Sequence, residues 1–215
     1  MDTNFLCFDV ETTGFPKNGT DGNRFADPTD IRSYDSARIV QVAWFSKQKN
    51  HIQSAIIHPK QEFNINNSNI HGITETRAEI EGRPILDVLL ELQADVEVCD
   101  CIVAHNVEFD RMVMLSEIHR LGPNACLGTL REALLTTSRF YCTMVNGTAI
   151  CKLNMPSKRF TGIQWKYPKL SELMNHLGVE VVPNLPFHDA YSDVFYTSAC
   201  FMKMQQLCAL SVAAQ

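Results

Sequence analysis

A short apolar segment near the N-terminus, FLCFDVETTG at residues 5–14, ends in two carboxylates and a glycine. Its apolar residues predict a β-strand, and side chains two positions apart on a strand point to the same face. Asp9 and Glu11 would therefore converge, and two carboxylates at that spacing repel each other unless they share a proton or a cation. The strand must therefore lie in a sheet and end where this charge can be neutralised.

The length and composition are those of one globular domain. The chain has 215 residues, of which 45% are hydrophobic and 20% charged, and we expect residues 1–215 to form a single α/β domain. It has no run of about 18 apolar residues, and its N-terminus lacks the pattern of a signal peptide. Its cysteines are not spaced as CxxC, and we expect reduced thiols. We therefore predict an intracellular protein, cytoplasmic or nuclear, that is not bound to a membrane.

The hydrophobic pattern predicts three leading strands, at residues 4–11, 37–46 and 51–59, with a hairpin turn at 47–50. A short buried strand then precedes a turn at His105–Asn106 and a helix that ends at Gly122. Further helices are predicted at residues 84–99, 125–138, 167–178 and 188–210. This order predicts a layered α/β sheet. The polar segment 15–36 contains no predicted element and is long for a loop.

Two more aspartates and a histidine lie at the ends of predicted elements. Asp110 lies just inside a helix, and Asp193 lies early in the last helix, five residues after His188. Each alone is more typical of a helix cap or a solvated residue. Together with Asp9 and Glu11, they suit a site for two divalent cations, Mg²⁺ or Mn²⁺, which prefer oxygen ligands. Such a pair of ions catalyses in-line phosphoryl displacement, with a histidine as general base.

Three segments of the chain resemble the exonuclease motifs of the DnaQ-like family, in its DEDDh branch of 3′–5′ exonucleases: FDVETTG, VAHNVEFD and HDAYSD. The segments HGIT, GRP and YPKLSEL also resemble that family, so the similarity spans residues 5–201. The family includes the epsilon subunit of DNA polymerase III and RNase T. The resemblance implies an RNase H-like fold, with a mixed central β-sheet flanked by helices. It also implies a metal-dependent hydrolase that releases nucleoside 5′-monophosphates from the 3′ end of single-stranded DNA or RNA.

The resemblance also assigns roles to individual residues. The metal ligands would be Asp9, Glu11, Asp110 and Asp193, and His188 would be the general base. Asp9 would contact both ions, Glu11 and Asp193 would complete the site next to the nucleophilic water, and Asp110 would lie beside the leaving 3′ oxygen. The residues that would bind the terminal nucleotide, or shape the turn before Asp110, are Thr12, Thr13, Gly14, His71, His105, Asn106 and Phe109. Cys142 stands where many relatives have an aspartate, outside the five catalytic positions.

One segment differs from the rest of the chain in charge. Residues 133–171 contain no Asp or Glu but six basic residues, although the whole chain has a net charge of −5. Aromatic residues interleave with these cations, as in surfaces that bind a single strand; an ordinary solvated face is the alternative. The candidate nucleic-acid patch consists of Lys152, Lys158, Arg159, Lys166 and Lys169.

Two other functions stay open on the sequence alone. The chain could be a proofreading or docking subunit of a polymerase or another protein, or a nucleic-acid-binding module without significant activity. The intact set of four acids and a histidine favours the enzyme. Segment 15–36 could be a lid, a gauge of substrate length, a partner surface or a tolerated loop.

Overall fold

The computed structural model describes residues 3–20, 22–154 and 165–213, with side chains described as far as residue 210. These residues contain a five-stranded sheet, in the order β3-β2-β1-β4-β5. The strands are β1 (Phe5–Thr12), β2 (Ile39–Ser46), β3 (His51–Ile56), β4 (Cys101–Ala104) and β5 (Phe140–Cys142). Strand β1 is antiparallel to β2 and parallel to β4, so the predicted mixed sheet is confirmed.

The helices pack against both faces of this sheet. They are α1 (Ser68–His71), α2 (Glu75–Glu81), α3 (Ile85–Glu97), α4 (Val107–Leu121), α5 (Gly128–Leu135), α6 (Thr143–Cys151), α7 (Leu170–Leu177) and α8 (Ala190–Ala213). Short 3₁₀ turns occupy Ile31–Tyr34, Pro123–Ala125 and Thr137–Arg139. In the described part of the chain, no helix combines the length and apolar character needed to span a bilayer.

The alternation of side chains along β1 explains the layers. Leu6, Phe8 and Val10 point into the larger core, which α3, α4 and α5 cover. Phe5 and Cys7 point to the other face and pack against α8. Asp9 and Glu11 continue this second face, so the strand directs both carboxylates toward the N-terminal end of α8.

The two central parallel strands separate before β1 ends. Their paired residues run from Phe5 opposite Cys101 to Cys7 opposite Val103. The C-terminal half of β1 therefore pairs only with β2, and its β4 side is open to other polar groups. The irregular pairing between Glu11 and Thr12 marks the end of the regular ladder. The two carboxylates lie at this opening.

The structure corrects the prediction around residues 125–138. The predicted helix is shorter there, Gly128–Leu135, and the strand β5 and the helix α6 follow it. A three-residue strand is too short to show a periodic pattern. Helix α6 contains Gly147 and several β-branched residues, which are weak helix formers. A Cβ at Gly147 would lie 2.9 Å from a Leu173 methyl carbon, so a larger residue here would force the Leu173 side chain of α7 to shift.

Residues 15–36, called the insertion below, are tied to the core at several points. Tyr34 is almost fully buried, and its hydroxyl donates a hydrogen bond to the Ala26 carbonyl at 2.6 Å. Arg120 of α4 donates to the Ile31 carbonyl and forms an ion pair with Asp35 at 2.7 Å. The insertion therefore packs on α4 and on the core, although its sequence predicts only a loop.

Candidate active site

Three carboxylates meet at the end of β1. One oxygen from each of Asp9, Glu11 and Asp193 lies within 4.8 Å of the other two. Asp9 and Glu11 come from alternate positions of β1, and Asp193 comes from the first turn of α8, which packs on the same face. The alternation of the strand and the packing of α8 therefore build this cluster together.

Asp110 joins the cluster from the opposite layer. It lies in the first turn of α4 and is almost fully buried. Its Oδ1 accepts a hydrogen bond from the Val10 backbone N–H at 3.2 Å, in the half of β1 that β4 does not pair. The charge of Asp110 also raises the pKa of both Asp9 and Glu11. The opening between β1 and β4 thus admits a fourth carboxylate.

The four carboxylates destabilise one another's charge. Burial is the largest cause of the raised pKa in all four, and it brings the pKa of Glu11 and of Asp110 to about 8. The pKa of Asp9 is raised well above its usual value, by burial and then by Asp110, Asp193 and Glu11. Burial raises the pKa of Asp193 to about 6, opposed by the nearby His188. These four carboxyl groups can all be ionised together only when a bound cation neutralises part of their charge.

The donor set fits a hard divalent cation. Only carboxylate oxygens form the cluster, and oxygen is the ligand that Mg²⁺ and Mn²⁺ prefer. The Oδ1 of Asp193 is buried and has no hydrogen-bond partner within the described structure. A buried anionic oxygen without a partner is costly, and a bound cation would satisfy it.

His188 stands at the exposed rim of the cluster. Its backbone has a φ of 63°, in the left-handed region, which is uncommon for a residue with a side chain. This conformation lets the His188 N–H donate to Asp193 Oδ2 at 3.3 Å. The histidine is therefore held beside the carboxylates by its backbone, and no protein hydrogen bond to its ring is found among the described residues.

A buried amide that the sequence analysis missed connects β2 to the start of α8. Gln41 lies on β2 directly opposite Glu11. Its Nε2 donates to Asp189 Oδ2 at 3.4 Å and to Ser54 Oγ at 3.1 Å, and its Oε1 accepts from the Ala190 N–H at 3.1 Å. Gln41 thereby fixes the residue that follows His188. The sequence could have indicated this residue, because Gln41 is the single amide within the apolar strand IVQVAW.

Replacing this amide with leucine (Gln41→Leu) should reduce catalysis more than stability alone explains. The change leaves the buried Ala190 N–H without its partner, which should lower the free energy of unfolding by about 1–3 kcal/mol. It also releases the start of α8, so we expect kcat to fall more than KM rises. Urea unfolding and steady-state cleavage measure the two effects.

Gln53→Leu is the matched control, because Gln53 donates to Asp95 at 3.0 Å on the opposite face of the sheet. It should lower stability without a selective loss of kcat. Equal kcat losses in the two variants would contradict a positioning role for Gln41.

The Thr-Thr-Gly turn after β1 packs closely against Ser36 and Asn67. Thr13 donates its hydroxyl to the Ser36 carbonyl at 3.1 Å, and its own carbonyl accepts from Asn67 Nδ2 at 2.7 Å. A Cβ at Gly14 would lie 2.8 Å from the Ser36 carbonyl oxygen, so a side chain there would force the backbone apart. The Thr12 hydroxyl donates to the Gly14 carbonyl at 2.7 Å and closes the turn.

The two predicted histidines have different surroundings. His71 is buried, and its Nδ1 accepts from the Ile73 N–H at 3.1 Å, so the proton lies on Nε2, which has no partner within the described structure. A buried N–H donor is therefore available to a ligand. In His105, Nε2 lies 3.1 Å from the Pro168 carbonyl and Nδ1 lies 3.0 Å from the Thr143 hydroxyl. Burial lowers the pKa of His105 to about 4, and its occupied nitrogens suit a role in shaping the turn.

Asn106 and Phe109, at the start of α4, contact the insertion. Asn106 has a φ of 70° and accepts a hydrogen bond from Arg24 at 2.6 Å. The ring of Phe109 lies 5.5 Å from that of Phe15 and 5.9 Å from that of Phe25. Phe15 is 74% exposed, unusually high for a phenylalanine. The sequence analysis did not select Phe15 or Arg24, although Phe15 directly follows Gly14 of the first motif.

The structure describes part of the candidate nucleic-acid patch. Lys152 and Lys169 are exposed. Lys166 forms an ion pair with Glu172 at 2.5 Å, so an acid just beyond the basic segment neutralises one of its cations. Lys158 and Arg159 lie outside the described residues.

The described residues form a mixed sheet that carries a carboxylate cluster at the end of its central strand, the architecture of the RNase H-like fold. Comparison with solved structures agrees. Exonuclease I from E. coli in complex with a dT13 oligonucleotide has a TM-score of 0.61 and 18% identity, over 98% of this chain and 43% of that one. Exonuclease I from Methylocaldum szegediense has a TM-score of 0.59 and 17% identity, over 95% and 40%. The chain thus spans about two fifths of the length of these proteins, and at such identities the likeness shows the fold.

The sequence itself identifies the family. The profile of the family described as Exonuclease matches residues 6–201. The chain therefore belongs to this exonuclease family, and the resemblance to DnaQ-like exonucleases is confirmed. No curated protein matches the chain significantly.

Proposed function

We propose that the protein is a metal-dependent 3′–5′ exonuclease that hydrolyses single-stranded nucleic acid and releases nucleoside 5′-monophosphates. The observation that carries this proposal is the meeting of Asp9, Glu11 and Asp193 within 4.8 Å, with Asp110 hydrogen-bonded beside them at the opening of the sheet. No carboxylate of this cluster has a side-chain cation among its hydrogen-bond or ion-pair partners in the described structure, so the cluster suits bound metal better than structural pairing.

The four acids would hold two Mg²⁺ or Mn²⁺ ions. When bound, these ions would stabilise the negative charge on the attacking and leaving oxygens. Asp9, Glu11 and Asp193 would line the side from which water attacks, and Asp110 would line the side of the leaving 3′ oxygen. The cluster would thus place the scissile phosphate at the end of β1.

His188 would accept the proton from the attacking water. The water oxygen bonds to phosphorus, the bond from phosphorus to the 3′ oxygen breaks, and the leaving oxygen takes a proton from solvent to become a hydroxyl. The exposed position of His188 would let it pass the proton on to solvent. Its backbone hydrogen bond to Asp193 would keep the ring next to the carboxylates.

The turn after β1 would receive the last nucleotide. The packed Thr12–Gly14 backbone allows close approach, and the unpaired Nε2–H of buried His71 would donate to the sugar or base. The exposed ring of Phe15 offers a surface on which a base could stack. The 3′ polarity rests on the match of the three motifs to the DEDDh branch.

The test uses DNA and RNA oligonucleotides of one sequence, each labelled at either the 5′ or the 3′ end. With Mg²⁺ or Mn²⁺, we expect a 5′-labelled strand to give a descending ladder and a 3′-labelled strand to release labelled mononucleotide at once. Asp110→Asn is the control and should give neither product. A ladder from the 3′-labelled strand would contradict the polarity, and no cleavage despite bound metal would contradict the enzyme.

A further inference from the structure

The insertion carries a cation to the edge of the site, and we propose that this residue, Arg24, binds a backbone phosphate of the substrate strand upstream of the scissile bond. The insertion would then form one wall of the path along which the strand enters. This inference rests on the proposed exonuclease function and adds a residue that determines how strongly a strand is held.

Arg24 is fixed at the start of α4. Its Nη1 donates to Asn106 Oδ1 at 2.6 Å, and Asn106 precedes Asp110 by four residues. Its guanidinium carbon lies 4.8 Å from the ring centroid of Phe25, which is buried. One hydrogen bond and one ring contact thus orient the guanidinium, while the residue remains exposed.

No carboxylate neutralises Arg24 among the described residues. The cleft beside it, about 540 Å³ in volume, is lined by Arg111 and by three acids, and each acid has a hydrogen-bond or ion-pair partner other than Arg24. Asp27 accepts from Thr29, Asp30 accepts from Ser33, and Glu108 pairs with Arg111 at 2.9 Å. An exposed guanidinium with unused donors is well suited to bind phosphate.

Arg24 belongs to the rim of the site rather than to the carboxylate cluster. Its guanidinium hydrogen-bonds to Asn106, which precedes α4, whereas Asp110 lies within the first turn of that helix. With the scissile phosphate at the carboxylates, as proposed above, the phosphate that Arg24 binds would belong to the strand beyond the scissile bond. The exposed Phe15 ring, which contacts Phe109, lies on the same insertion. A cation next to an exposed ring is the usual surface for a single strand.

Contacts on both sides of Arg24 hold the described parts of the insertion in place. The buried Tyr34 and the ion pair between Asp35 and Arg120 fix its second half. The Ala26 N–H donates to the Lys17 carbonyl at 3.1 Å and closes the segment that bears Arg24. Binding through a residue already held in place loses little conformational entropy.

The test compares Arg24→Gln with Arg32→Gln. Both variants remove one exposed arginine charge from the insertion, and the Arg32 side chain has no hydrogen bond or ion pair among the described residues. The probe is a fluorescent single-stranded oligonucleotide, bound in the presence of Ca²⁺ at several salt concentrations. A second substrate is the 4-nitrophenyl ester of thymidine 5′-monophosphate, which has the scissile phosphate but none upstream.

We expect Arg24→Gln to weaken oligonucleotide binding about tenfold and to reduce the salt dependence by roughly 0.7 in log–log slope, the effect of one phosphate contact on a single strand. Hydrolysis of the nitrophenyl ester should stay at the wild-type rate. Arg32→Gln should match the wild type in both assays. Thermal melting of both variants checks that each is folded.

If Arg24→Gln binds the oligonucleotide as Arg32→Gln does, while the wild type is active, the inference about Arg24 is wrong and the proposed function stands. A loss of ester hydrolysis in Arg24→Gln would place the residue at the scissile phosphate instead and would also overturn it. A wild-type protein that neither binds nor cleaves the oligonucleotide would contradict the proposed function, and the inference with it.

Discussion

Asp9→Asn is expected to reduce metal-dependent cleavage by at least about 10³-fold, equivalent to about 4 kcal/mol of transition-state stabilisation. Asp9 interacts with all three other carboxylates, because the charges of Asp110, Asp193 and Glu11 all raise its pKa. Removing its charge should therefore weaken metal binding as well. Mn²⁺ titration by calorimetry and single-turnover cleavage measure the two losses. In the absence of metal, the variant should be at least as stable as the wild type, because a like-charge contact is gone.

Asp95→Asn is the control for Asp9→Asn. Asp95 is also buried, but it accepts from the Trp44 indole N–H at 2.8 Å and pairs with Lys49 at 2.6 Å, on the other face of the sheet. Its replacement should lower the stability of the folded protein and leave Mn²⁺ affinity unchanged. Near-normal turnover in Asp9→Asn, with metal affinity preserved, would show that the carboxylate cluster is not the catalytic centre.

The stability of the metal-free protein is expected to fall as the pH rises from about 4 to about 8. In the unfolded chain these carboxyl groups lose their protons near pH 4, whereas the folded protein keeps the pKa of Glu11 and Asp110 at about 8 and that of Asp193 at about 6. Over this range the folded state binds more protons than the unfolded state, so a rise in pH favours unfolding. The protonated carboxyl groups stabilise the folded protein fully below the pKa that they have in the unfolded chain. This stabilisation is lost as the pH rises through the pKa that they have in the folded protein.

Divalent metal should reverse this trend, because it replaces the protons as the neutralising charge. Urea unfolding in chelator and in Mg²⁺, repeated across the same pH range, measures both curves. Asp110→Asn should flatten the metal-free curve. A wild-type stability that stays constant or rises between about pH 5 and about pH 8 in chelator would contradict the raised pKa values.

Strand periodicity explains why part of the site could be predicted. The alternation of β1 predicts that Asp9 and Glu11 share a face, and the structure places one oxygen of each within 4.8 Å of the other. The order of strands and helices likewise predicted the layered sheet, and the short buried strand before His105–Asn106 is β4. These features depend on local patterns, which the amino-acid sequence records directly.

Contacts between distant segments could not be predicted in the same way. The hydrogen bond from Gln41 to Asp189 joins residues 148 positions apart, and that from Arg24 to Asn106 joins residues 82 positions apart. Neither contact has a periodic pattern, and both depend on how α8 and the insertion pack on the sheet. The strand β5 was missed because three residues carry too little pattern, and its pairing with β4 provides the stability that its length does not.

The most direct test of the account is a comparison of one single-stranded DNA sequence in linear and in circular form, incubated with the protein and Mn²⁺. An exonuclease needs an end, so the linear strand should be degraded to nucleoside 5′-monophosphates while the circle stays intact, and chelator should stop the reaction. Cleavage of the circle at a rate comparable to that of the linear strand would contradict the account, because the carboxylate cluster would then be an endonuclease site.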